Sequence, residues 1–111
     1  MPIRVPWDKY EVALLFRAYE SVIGGGNKNE VARSLSETLR KLAIRRGIKI
    51  DYTYRNVNGM KMQLGNVQYL FTDGAQGLSG ASALIRAMYH TYQHNNAEYQ
   101  EIFRKNNVIK F

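Results

Sequence analysis

Val12, Leu15, Phe16, Tyr19, Val22 and Ile23 recur at intervals of three and four residues. That period commits the segment from Asp8 to Ile23 to an amphipathic helix with one apolar side. Pro6 keeps the residues before it out of the helix, Trp7 is placed to pack back on the first turn, and Asp8 is a type that accepts an amide hydrogen bond at a helix start. Glu11 complements the positive end of the helix dipole. The glycines Gly24, Gly25 and Gly26 then end the helix, because their backbone loses too much freedom inside one. A helix with one apolar side must bury it against another element.

The rest of the chain supplies more helices. Val31, Leu35, Leu39 and Leu42 form the seam of a second one, from Lys28 to Arg46, with Arg33, Glu37, Arg40 and Lys41 on its charged side. Arg45 and Arg46 suit the negative end of its dipole, and Gly47 closes it. The next stretch, IKIDYTYR, alternates apolar and polar residues and predicts a short extended segment, but no second such run exists to make a substantial sheet. Asn58 is the expected N-cap of a third helix that turns Met60, Leu64, Val67 and Phe71 inward, and Gly65 within it predicts close approach of another helix. The turn-rich TDGAQGLSG, residues 72–80, leads to a fourth helix from Ala81 to Tyr92 carrying Leu84, Ile85, Met88, Tyr89 and Tyr92. After HNN a fifth, over 96–105, buries Tyr99, Ile102 and Phe103.

The expected fold is all-α: a compact bundle of about five helices with a short irregular or extended connector around residues 47–57. One domain covers 1–111, with flexible ends at 1–6 and 106–111, because 111 residues suffice for one core and not for two. There is no internal repeat.

Composition then narrows the function. Without cysteine there is no disulfide framework and no thiolate metal site. No segment approaches the ~18 apolar residues of a membrane span, and MPIRVPWDKY lacks the apolar run of a signal peptide, so a cytoplasmic protein with no membrane partner is expected. The net charge is +7, and residues 28–61 hold nine Lys or Arg against three acids, which concentrates nearly all the excess there. Such a field favours polyanions, nucleic acid first and an acidic protein face second.

Catalytic signals are sparse. His90 and His94 stand at i, i+4, but no HExxH pattern surrounds them and no third ligand is evident, so they read as surface histidines. Glu98 and Glu101 have Arg104 and Lys105 nearby for ordinary ion pairing. GGGN lacks the Gly-Lys-Ser/Thr ending of a phosphate loop and reads as a linker. No catalytic residue, cofactor or metal site is expected.

A binding surface is the alternative to chemistry. In a helix-turn-helix-like arrangement Arg40, Lys41, Arg45, Arg46 and Arg55 contact phosphates and Lys61 or Asn66 reaches base edges from the exposed face of the third helix, which Asn58 and Met62 share; Lys49 and Asn58 complete the binding set, with double-stranded DNA as the expected ligand. Structural roles stand beside these. Arg55 is also suited to capping carbonyls at a helix end, Asn56 and Asn58 to organising a turn, and Tyr52 and Tyr54 either to stacking on a base or to packing a junction. Tyr19, Tyr69, Tyr89, Tyr92 and Tyr99 fall at or beside core positions.

The Trp7-to-Tyr19 helix, SLSETLRKLAIRRGIKID, YRNVNGMKMQLGNVQYLF and SALIRAMYHTYQHNNAEYQEI together resemble a helical domain of bacterial restriction-type and mobile-element proteins, often N-terminal to HNH nuclease or other effector domains. The resemblance runs from about Trp7 to Ile102 and implies an accessory nucleic-acid-binding or targeting role. The chain carries no HNH histidines or other nuclease residues, so no activity is implied. A protein-binding adaptor or inhibitor in a phage or bacterial defence system is the second reading, with the same basic face against an acidic partner.

Overall fold

The computed structural model describes residues 5–108, which form five helices and, among themselves, no strand. These are α1 (Lys9–Ile23), α2 (Lys28–Arg45), α3 (Val57–Phe71), α4 (Ala83–His94) and α5 (Asn96–Val108). The fold is an all-α bundle.

Local chemistry sets the helix ends. Asp8 accepts the Glu11 amide at 2.9 Å and the Glu11 carboxylate accepts the Asp8 amide at 3.2 Å, a reciprocal capping box at the start of α1. Gly47, at φ +75°, turns the chain out of α2 while Ile48 donates its amide to the Ala43 carbonyl at 2.9 Å. The cap of α3 is Asn56 and not Asn58: Asn56 Oδ1 accepts the Gly59 amide at 2.8 Å, which leaves Asn58 exposed in the first helical turn. Ser82 caps α4, so that helix begins two residues later than expected and extends to His94.

The core is continuous across all five helices, with Val12, Leu15, Phe16, Leu39, Met60, Leu64, Val67, Ile85 and Tyr99 essentially inaccessible to solvent. Phe16 sits within 6.0 Å of the rings of Phe71, Tyr92 and Tyr99, and the Tyr99 hydroxyl, buried with it, donates to the Ala13 carbonyl. These contacts account for Tyr19, Tyr89, Tyr92 and Tyr99 as packing groups.

The connections differ from expectation in two places. IKIDYTYR is irregular over 48–51 and turns over 52–55, where Asp51 Oδ1 accepts the Tyr54 amide and Arg40 bonds the Tyr54 carbonyl. Gly65 does admit a close neighbour, but it is the loop after α3: the Leu78 amide donates to the Gly65 carbonyl at 3.0 Å, and a Cβ on Gly65 would meet the Leu78 side chain at 3.0 Å. Helix α5 continues past 105, and Asn106 donates to the Tyr10 carbonyl at 3.1 Å. The Val5 carbonyl likewise accepts from Arg55, and residues 1–4 and 109–111, the greater part of the ends expected to be flexible, lie outside the described residues.

Candidate nucleic-acid interface

The basic stretch divides into cations that the fold uses and cations that face solvent. Arg55 belongs to the first group. Its Nε donates to Glu11 Oε2 at 2.9 Å and its terminal nitrogen to Glu11 Oε1 at 3.0 Å, a bidentate pair in which the two side chains are 9% and 4% exposed. The same terminal nitrogen donates to the Val5 carbonyl at 3.0 Å. The guanidinium carbon lies 4.6 Å from the Trp7 ring centroid and 4.4 Å from that of Tyr54, so an aromatic group flanks it on two contacts. Burial, followed by the Glu11 charge, raises the Tyr54 hydroxyl pKa.

Arg55 holds this position at φ +45°, a left-handed conformation that costs a non-glycine residue roughly 1 kcal/mol. Bonds on either side offset it. Ser36 Oγ donates to the Arg55 carbonyl at 2.6 Å, and Arg40 donates to the carbonyls of Asp51 at 3.0 Å and Tyr54 at 2.6 Å. Arg40 is therefore a clamp on the connector. Arg46 donates to Asp8 Oδ2 at 2.7 Å, in a half-exposed pair that joins the end of α2 to the start of α1.

Glu11 thus has two tasks. It closes the capping box of α1 and neutralises an arginine 44 positions away. The sequence placed Glu11 at the positive end of the helix dipole, and nothing in the spacing announces its pair with Arg55.

Asn66 is also taken up by the fold. Only 4% exposed, it accepts the Gly80 amide at 3.2 Å and donates to Gln63 at 3.0 Å, so its expected place on the open face of α3 is corrected. The loop crossing α3 at Gly65 encloses it. Asn58 is exposed, Lys61 is half-buried, and Met62 beside them is 59% exposed.

Of the other expected contact residues, Lys41 and Lys49 are exposed, near the C-terminal end of α2 and after it, and Arg45 is exposed beside them with an interaction of its own. Lys41 and Arg45 are four residues apart and share a helix face. Tyr52 and Tyr54, equivalent in the sequence, are separated by the structure: Tyr54 is buried and Tyr52 is 87% exposed. Tyr52, outside the expected contact set, is the member of that aromatic pair that reaches solvent.

Elsewhere the chemistry is thin. His90 and His94 are exposed with ring centroids 4.5 Å apart, and among the described residues no group of three His, Cys, Asp or Glu is arranged to hold a metal. Glu101 pairs with Arg104 at 2.8 Å on an exposed face of α5. A groove of about 220 Å³ between α1 and α2, lined by residues including Leu14, Ala18, Val31 and Thr38, contains no carboxylate or imidazole. Among the described residues no helix is long and apolar enough to cross a membrane. No family model, curated protein or solved structure matches the chain.

Proposed function

We propose that the chain is a non-catalytic DNA-binding module, of the accessory kind found beside effector domains in bacterial restriction-type and mobile-element proteins, acting in the cytoplasm. The observation that carries this reading is the exposed basic end of α2. Lys41 and Lys49 are exposed there, whereas Arg40, Arg46 and Arg55 are bonded to carbonyls and carboxylates. Cations held on a rigid helix end position a phosphate backbone and release its counterions. Asn58 and Lys61, at the start of α3, are the members of the expected binding set on that helix that still reach the surface.

The same division selects the variants. Arg55→Ala unfolds the connector and reports on folding, whereas Lys41→Ala/Lys49→Ala removes charge from an exposed surface. In a salt series followed by fluorescence anisotropy with labelled duplex and single-stranded DNA, wild type binds with an affinity that falls steeply with salt. The double variant binds more weakly, and its log–log slope is lower by about two, one for each phosphate contact removed. Equal binding by the two proteins, or none by wild type at low salt, removes the proposal.

One observation favours the alternative of an adaptor or inhibitor. Ile44 is 63% exposed between Lys41 and Arg45, which suits a protein partner with an apolar centre and an acidic rim. A saturable complex with an acidic protein, competed by neither form of DNA, selects that reading.

A further inference from the structure

We infer that the ligand of this surface is single-stranded DNA, and that Tyr52 is the residue on which an unpaired base stacks; the inference rests on the DNA-binding reading above. Four observations bear on it. The first is exposure: at 87%, Tyr52 is more open than any other large apolar or aromatic side chain exposed on the described surface, and packing gives no reason for an aromatic there.

The second is rigidity. Tyr52 occupies the corner of a turn in which the Tyr54 amide donates to the Asp51 carbonyl at 3.3 Å. Asp51 Oδ1 also accepts from the amides of Thr53 and Tyr54 at 2.9 and 3.1 Å and from the Thr53 hydroxyl at 2.6 Å. Arg40 then holds the carbonyls at both ends of that turn. A ring presented on a fixed turn, with only two side-chain torsions to restrict, loses little freedom when a base covers it.

The third is charge. Lys49 lies three residues before Tyr52, and exposed Lys41 directly follows Arg40, which bonds the turn that carries Tyr52, so cations stand near a stacked base for its phosphates to meet. This combination of aromatic platform and basic track is how unpaired strands are held without sequence preference. The fourth concerns what duplex reading requires. The amide expected to reach base edges, Asn66, is enclosed by the loop after α3. Bases inside a duplex present no face to a tyrosine, whereas every unpaired base does.

The experiment uses a labelled 15-mer oligothymidine, a duplex of the same length and a 15-mer oligouridine, titrated with wild type, Tyr52→Ala and Tyr52→Phe of matched circular dichroism. The expected result is that wild type prefers the oligothymidine to the duplex. Tyr52→Ala loses about tenfold on the single strand, Tyr52→Phe retains the affinity, and duplex binding is unchanged. Salt-dependent binding that is indifferent to Tyr52→Ala, or a preference for duplex, overturns this inference and leaves the DNA-binding reading standing. Binding to no nucleic acid overturns both. Oligouridine bound tenfold tighter than oligothymidine overturns the assignment to DNA.

Discussion

The two connections that flank α3 are held by opposite means. The one before it, residues 46–56, is fixed by side chains reaching in from other elements: Ser36 and Arg40 from α2, Glu11 from α1, and the paired Asp8 and Arg46. The one after it, residues 72–80, is fixed chiefly by close approach to α3. A Cβ on Gly77 would stand 2.4 Å from the Gly65 carbonyl oxygen and 2.6 Å from the Tyr69 amide, and Leu78 and Gly80 donate their amides to Gly65 and Asn66. Both segments contain the Gly, Asp and Thr of ordinary turns. The difference is that the first depends on charge and the second on steric fit, so charge changes should injure one and added volume the other.

The largest effect is expected at the charged connection. In Glu11→Ala the guanidinium of Arg55 stays buried without its carboxylate, and loss of one partner of a buried pair costs about 3–5 kcal/mol. Urea denaturation measures it. Trp7, the single tryptophan, lies against that guanidinium, so its fluorescence reports the change in the folded state before unfolding begins. Arg55→Lys should also be costly, because an ammonium group reproduces neither the bidentate geometry nor the contact with two rings. Replacing both partners together, Glu11→Met/Arg55→Met, should cost less than the sum of the two single changes. Strict additivity would remove the claim that the two charges act as a pair.

Second comes the sterically fitted loop. Gly77 has φ +97°, and its missing Cβ is where the loop meets α3, so Gly77→Ala should destabilise by roughly 2 kcal/mol through strain and displacement together. The deficit should be the same in low and high salt. A salt-dependent loss at Gly77, or a negligible one, would show that the loop is not held by fit.

How much of this could be read beforehand follows the same division. Helical periodicity located all five helices, since Val12, Leu39, Leu64 and Ile85 declare themselves by spacing alone. Helix ends were less legible. Asn56 and Asn58 are both good caps by residue type, and the choice of Asn56 is made by the geometry of the chain entering α3, which Ser36 and Arg40 impose from a distance. The candidate site was least legible. Arg46 looks like one more cation of the basic run, yet it bridges to Asp8; Tyr52 and Tyr54 are two residues apart, yet only one is covered. Sequence counts cations correctly but cannot say which of them the fold has already neutralised, because the neutralising group lies 38 positions away for Arg46 and 44 for Arg55.

The smallest effect is the most specific to the charged connection. The Thr53 hydroxyl, bonded to Asp51 Oδ1, is the main cause that holds the Asp51 carboxyl below its ordinary pKa; the amides of Thr53 and Tyr54 and the charge of Arg40 add to it, and partial desolvation opposes. A carboxyl depressed in the folded state stabilises it fully above the unfolded value of about 3.9, and the contribution disappears as pH falls through the folded value. The melting temperature of wild type should therefore exceed that of Asp51→Asn by a constant small margin from pH 7 down to about 4 and converge with it in more acid solution. The deficit of Gly77→Ala over the same range should stay level, since no titrating group supports that contact. A margin for Asp51→Asn that is independent of pH would mean that the carboxylate's charge does not hold the turn. If the curves converge as expected, the turn that carries Tyr52 weakens in acid without opening, because Arg40 still holds the carbonyls of Asp51 and Tyr54.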